Sequence, residues 1–414
     1  MRCLNAREGL GFYWLIASFA TALLLIFLRD PSLFTRPQFW AEDGSFWYAQ
    51  AYNGGWLHSL TIPDGGYLNT LQRLSAGLAL VVPFRWAPLP MVLVGLLAQA
   101  LPVPILLSVR CRKWTSLPLR ILLAAVYIAI PNAREIHVVC TNSHFHLALA
   151  ELLLAFSAAP RSLAGRAFDV FIFLLGSVCG PFGLLLLPFV IAFWWIRRQP
   201  WSLLICGLLL GGAIAQLMFL RHIAEARSAR PLGASVPMFI RLLGGNVFLG
   251  SLRGSTPYGL RQPLFISLMA FIIGLAICLY CARFASPEIR LFFLYCFVLF
   301  AAELRTPLVP PSSTTPRWVT ILQQPSIRYW FFPSLAFLFA VLWCVVYARS
   351  RTVRLAAIAL ALLLCQGIYR DWRIPALEDM HFPQTAAEFK AAKPGTHFLI
   401  SLNPPPMTMS ITKK

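Results

Sequence analysis

The chain has 414 residues, of which 58% are hydrophobic and only 12% charged, and it carries a net charge of +20. At a mean hydropathy of +0.70 it has too few polar side chains to cover a water-soluble surface, so the bilayer must be the solvent for much of it. The charge is not a nucleic-acid footprint, because Lys and Arg fall in short clusters between apolar runs with no continuous basic stripe.

The first run, Phe12–Leu28, is long enough to cross ~30 Å of hydrocarbon. No small-residue cleavage site follows it, so it reads as a retained first span and not as a removed signal peptide. Ten more spans are expected near 89–109, 117–131, 145–159, 167–180, 182–196, 201–220, 264–281, 289–302, 329–347 and 355–369. With the N-terminus inside, the clusters Arg110/Arg112/Lys113, Arg161/Arg166, Arg197/Arg198, Arg283/Arg290 and Arg349/Arg351/Arg354 all become cytoplasmic, which is the positive-inside pattern. The segments 29–88, 132–144, 221–263, 303–328 and 370–414 then lie outside. The expected fold is an all-α polytopic membrane protein of about eleven spans. It divides into a membrane domain, 1–369, and a small extracytoplasmic tail, 370–414, and the setting is a bacterial inner membrane with the C-terminus outside.

Tyr67–Phe84 is apolar enough to span, but a crossing there would flip every later basic cluster. It reads as a helix in the outer interface, with Arg73 snorkelling and Gln72 beside it. In the tail, a helix near Thr385–Ala392 followed by short strands is expected. The cysteines are dispersed, several (Cys206, Cys278, Cys344) within apolar runs, and show no disulfide framework. Neither a Walker A sequence nor a GxGxxG after a strand is present, so a nucleotide-driven pump is not indicated.

The chemistry-bearing residues gather in the outer segments. Glu42 and Asp43 are adjacent acids among Phe39, Trp40, Phe46, Trp47 and Tyr48, a setting in which carboxylates are costly unless used. One could deprotonate a hydroxyl while its neighbour orients it or binds a cation. The plainer reading is a helix start, with both acids at the positive end of a helix from Gly44 to Tyr52. A second polar, Gly-rich stretch at Asn53-Gly54-Gly55 and Pro63 to Tyr67 favours a site.

In the next outer segment, Asn142, His144 and His146 precede the fourth span. His144 and Glu151 are seven residues apart and share a helix face, so His144 is the expected partner of Glu151, roughly 10 Å deeper. Glu135, His137, His144 and His146 match no zinc spacing, and polar lining of a cavity is the expected role. Arginine is in excess outside, at Arg221, His222, Arg227, Arg230, Arg241, Arg253 and Arg261 and again at Arg305, Arg317 and Arg328. Singly, most suit anionic lipid headgroups. Arg328-Tyr329, above the apolar Trp330-Phe331-Phe332-Pro333, is the pair placed to hold a lipid-linked phosphate.

These features, together with the loop from Gly66-Tyr67-Leu68 to Arg73-Leu74, resemble the GT-C superfamily of integral-membrane glycosyltransferases that use polyprenyl-phosphate-linked sugars. The resemblance covers most of the chain in layout through short motifs. It implies that Asp43 or Glu42 is the catalytic base, that Arg328 binds phosphate, and that Tyr67, Arg73, Asn142, His144, Tyr329 and Glu151 line the substrate site. The family's more common order is Asp before Glu, here reversed. The implied partners are a polyprenyl-phosphate sugar, membrane lipids and a glycan, lipid or protein acceptor, without nucleic acid. No particular cofactor is implied; a divalent cation on the acids is the one candidate. A lipid-linked polysaccharide polymerase or ligase would instead place its essential residues in the Arg221–Arg261 loop. A transporter or flippase ranks third, since Gly180-Pro181 is the one obvious helix break.

Overall fold

The computed structural model describes residues 11–220, 230–309, 313–324 and 327–414. In chain order, α1 (Phe12–Arg29) is followed by a long loop that carries the short α2 (Thr70–Leu80). Next come α3 (Pro88–Ala100) and α4 (Pro102–Leu107), one helical path interrupted where Pro102 and Pro104 remove backbone donors. Then follow α5 (Leu117–Ile128), α6 (Ser143–Ala155), α7 (Leu163–Ser177), α8 (Phe182–Arg197) and α9 (Pro200–Leu220). The second half holds α10 (Leu264–Phe284), α11 (Pro287–Arg305), α12 (Phe331–Tyr347) and α13 (Arg351–Asp371). The chain closes with α14 (Phe382–Ala391) and the antiparallel pair β1 (His397–Ser401) and β2 (Thr408–Thr412).

Six helical stretches among the described residues are long and apolar enough to cross a membrane: Phe12–Arg29, Phe84–Leu107, Pro200–Phe219, Leu264–Phe284, Arg328–Tyr347 and Arg351–Asp371. Three shorter apolar helices, α5, α6 and α8, accompany them. This is a helical membrane protein. Every residue of α6 is buried, as is α12 from Phe331 to Cys344, so these two form the centre of the bundle. By contrast, α1 and α13 are apolar yet only 17% buried over their most apolar windows, which leaves their outer surfaces to lipid.

Polar contacts tie the loops into two groups at opposite ends of the helices. At one end, Asp169 of α7 accepts both guanidinium nitrogens of Arg110, at 2.8 and 2.6 Å, and Trp201 also donates to it. Arg197 pairs with Glu288, and Tyr347 bonds Thr115 and Ser116. At the other end, buried Arg29 donates to the carbonyls of Ile128, Ile130, Asp371 and Trp372. A cation is well placed there, because it meets the negative C-terminal ends of α1, α5 and α13 together. Those three helices therefore run in the same direction, each ending on the face that carries the acidic loop.

On that face the tail folds back over the loop after α1. Phe382, Phe389, Ile400, Leu402, Met409 and Ile411 share a second apolar core with Phe39, Trp47, Tyr48 and Met91. Polar stitches hold the seam: Gln38 bonds Glu378 and Met380, and Asn53 bonds Ser410 and Thr412. The tail is a packed lid on the first loop, with its helix and strands where the sequence suggests them. Segment 67–84 differs from expectation in one respect. Its helix α2 stays on this face, but Arg73 and Gln72 are fully buried, so Arg73 does not snorkel toward lipid.

Candidate active site

The acidic loop is held by the tail. Trp40 pairs with Asn403 in a parallel bridge, and the Ala41 N–H donates to the Asn403 carbonyl at 2.5 Å. Ala41 has φ 41°, a left-handed conformation that residues with a Cβ seldom adopt. Gly44 follows because nothing larger fits: a Cβ there would lie 2.9 Å from both a Leu402 methyl and the Phe39 Cβ. The turn then runs into the helix Asp43–Gly54, with Glu42 at the N-cap position and Asp43 in the first turn but no capping hydrogen bond from the Glu42 side chain.

Glu42 and Asp43 have different surroundings. Asp43 is buried, one of its oxygens has no partner, and the carboxyl is pushed well above the usual carboxylate range. Burial is the largest cause and the Glu42 charge the second; the Cys140 and Thr141 amides oppose them. The Glu42 side chain is half-buried and, among the described residues, enters no hydrogen bond or salt bridge. Its electrostatic neighbours are Asp43, Asp64 and Arg328.

Around Glu42 the first loop and the segments before α6 and α12 bring polar and charged side chains together. Asp64 is raised by burial first and by Glu42 second, with Arg73, the Gly65 amide and Arg328 pulling it back. Tyr67 lies within electrostatic reach of Arg328, and its backbone pairs with Asp64 in a tight bridge. Arg73 donates to the Gln50 side chain and the Ile62 carbonyl, and its guanidinium sits 4.6 Å from the Trp47 ring. Burial lowers the Arg73 pKa to about 10 against the pull of Asp64.

Arg328 opens the turn before α12. Its backbone N–H donates to Glu135 Oε2 at 2.7 Å, and Nη1 donates to Glu135 Oε1. Asn142 donates to the Glu135 carbonyl, which fixes that acid from behind. The structure thus brings Glu42, Asp64, Tyr67, Arg73, Glu135, Asn142 and Arg328 into one neighbourhood. Phe331 and Phe332 continue from Arg328 into the buried bundle.

One expected pairing does not form, and two further expected site residues have settings of their own. His144 does not meet Glu151; its Nδ1 faces the Gln72 amide at 2.8 Å, and Gln72 also bonds Thr141 and Cys179. Glu151 is buried deeper with neither carboxyl oxygen partnered, packed where a Cβ on Gly176 would come within 2.3 Å of its carboxyl carbon. Tyr329 is buried and its hydroxyl accepts the Leu308 N–H, so its position secures the loop before α12. Among the described residues no three His, Cys, Asp or Glu side chains are grouped to hold a metal ion. Glu135 as the Arg328 partner and Asn403 are site residues that sequence reasoning missed, and Asp64 was read only as part of the polar stretch from Pro63 to Tyr67. For Asp64, the Pro-Asp-Gly-Gly turn was the available signal; for Asn403 there was none.

In the loop between α9 and α10, Arg241 donates to the Gly259 and Gln262 carbonyls and Arg253 lies over the Tyr258 ring. Arg221, His222 and Arg227 lie outside the described residues. Compared with protein-family models and with curated proteins, the chain matches none.

Proposed function

We propose that this protein is an integral-membrane glycosyltransferase of the GT-C type that moves a sugar from a polyprenyl-phosphate donor to an acceptor hydroxyl. In this reading eleven helical passes cross a bacterial inner membrane, and the acidic-loop face is extracytoplasmic. Two features support that topology: the basic clusters all fall on the opposite face, and α1, α5 and α13, the first, third and last passes, share a direction.

The observation that carries the chemistry is Glu42, a side chain with no hydrogen bond or salt bridge among the described residues, in electrostatic contact with Asp64 and Arg328 where the apolar α12 begins. Glu42 serves as base. It takes the proton from the acceptor O–H as that oxygen bonds to the anomeric carbon, and the bond to phosphate breaks with its electron pair leaving on the lipid phosphate. Glu135 uses the Nη1 edge of Arg328; the rest of the guanidinium fork is directed to the phosphate, where it stabilises the developing charge. Asp43 supports the turn from within. Glu42 and Asp64, which repel each other, are the place that suits a divalent cation. In the α9–α10 loop Arg241 is engaged by the Gly259 and Gln262 carbonyls and Arg253 lies over the Tyr258 ring, so these two weigh less toward a polymerase or ligase centred there.

The test is transfer from radiolabelled polyprenyl-phosphate sugars by purified protein. Glu42→Gln is expected to lose ~10²–10⁴-fold in rate with donor binding retained. Full activity in that variant would remove the base from this scheme.

A further inference from the structure

Beside the acidic loop lies a small cavity of about 30 Å³ bounded by Trp40, Asp43, Arg134, His137 and the linker from α13 into the tail at Ile374–Leu377, with Arg328 not among its lining residues. Two of its lining side chains are more than nine-tenths buried and each has an atom without a hydrogen-bond partner: Asp43 Oδ1 and His137 Nε2.

The hydrogen-bond pattern fixes which of these atoms donates. The Val138 N–H donates to Gln99 Oε1 at 2.9 Å, so the Gln99 amide nitrogen is the atom that faces His137 Nδ1 at 3.3 Å. That nitrogen can only donate, so Nδ1 accepts. A neutral imidazole that accepts at Nδ1 carries its proton at Nε2. Burial and the nearby Arg29 and His146 hold the ring well below the usual histidine range, which keeps it neutral. The cavity therefore presents one buried donor, His137 Nε2–H, and one buried acceptor, Asp43 Oδ1. A buried donor or acceptor left unmatched is costly, so each calls for a partner. The volume exceeds the ~10–15 Å³ that one water needs.

We infer that this cavity is a binding site for a single hydroxyl group, whose oxygen accepts from His137 Nε2–H and whose proton is donated to Asp43 Oδ1. Asp30 and Arg134 also border the cavity, but the atoms left without partners are His137 Nε2 and Asp43 Oδ1, and a hydroxyl, which both donates and accepts, can satisfy the two together. Water and the hydroxymethyl arm of a carbohydrate share that chemistry. The inference does not depend on the transferase reading, since it rests on Asp43 and His137 and not on Glu42 or Arg328.

The experiment is cryo-electron microscopy at about 2 Å of the full chain in lipid nanodiscs, in plain buffer and with methyl glucoside. An ordered oxygen within ~3.2 Å of both atoms is expected. If it stays isolated with methyl glucoside present, the occupant is water; density growing outward past Trp40 assigns a carbohydrate arm. His137→Phe, which keeps a ring and removes the donor, is expected to lose the oxygen. A wild-type map with no oxygen there, or with Asp43 turned onto His137 directly, overturns the site.

Discussion

The pairing of Arg328 with Glu135 makes a prediction that separates two opposite roles for the acid. Glu135 accepts from both the backbone N–H and the side chain of Arg328, so it fixes where the guanidinium stands. The two side chains are 21% and 22% exposed, which leaves the pair only partly screened. Hydrogen bonds to a charged partner contribute about 1.5–3 kcal/mol. Glu135→Gln keeps one acceptor oxygen and loses the charge, so roughly half of that, about 1.1 kcal/mol, should disappear from the orientation of Arg328. The expected result is about sixfold weaker binding of a fluorescent polyprenyl phosphate to the protein in nanodiscs. Thermal stability of the variant, measured alongside, shows that the bundle is intact. Unchanged or tighter binding by an intact variant would refute the reasoning, because Glu135 would then compete with the phosphate for Arg328 instead of presenting it.

Other expectations follow from single contacts. Gly44→Ala drives a Cβ into Leu402 and Phe39 and should destabilise the docked tail by about 1–3 kcal/mol; limited proteolysis would show earlier cleavage within 372–414, and Leu402→Ala should be less than additive with it. Asp43 binds its proton more tightly in the folded chain than in the unfolded one, so its contribution to stability falls as pH rises from its unfolded value toward its higher folded value. Asp43→Asn should therefore raise the melting temperature at neutral pH, by an amount that vanishes in acid; an equal gain at both pH values would contradict the assignment. Arg110→Ala leaves Asp169 buried with only Trp201 beside it and should cost about 3–5 kcal/mol, read as a lower melting temperature. Glu151→Gln keeps the shape and removes an unpartnered acid, so stability should hold or rise; a marked loss would reveal a partner for that carboxyl.

Why some of this was legible in the sequence and some was not follows from the distances over which the signals act. Helices such as α9, α10 and α13 are written in one continuous apolar run each, and a run is a local property. The acidic pair stood out in the same way, as charge out of place among Phe39, Trp40 and Trp47. Partnerships between distant positions were not local and could not be read. The 3.6-residue period puts His144 and Glu151 on one face, but it does not reveal that Gln72, on another helix, reaches His144 first. Arg73 looked like a snorkelling residue because its neighbours are apolar; the Gln50, Ile62 and Trp47 contacts that hold it inside come from up to 26 residues away.

The tail shows the same limit with more at stake for the chemistry. Asn403 lies 362 positions from Ala41 along the chain, yet its carbonyl receives the Ala41 N–H and so helps hold the left-handed turn that precedes Glu42. A backbone conformation of this kind persists only when its surroundings enforce it. Here the surroundings are the Asn403 bridge, the Leu402 side chain against Gly44 and the aromatic packing of Phe382 on Phe39 and Phe84. It follows that the 45 residues from 370 onward, which by sequence are a polar appendix, belong mechanically to the loop that carries the acids. The orientation of Glu42 should thus be as sensitive to changes at Leu402 as to changes beside it, and a chain cut after α13 should keep its membrane bundle while losing the fixed placement of its acidic turn.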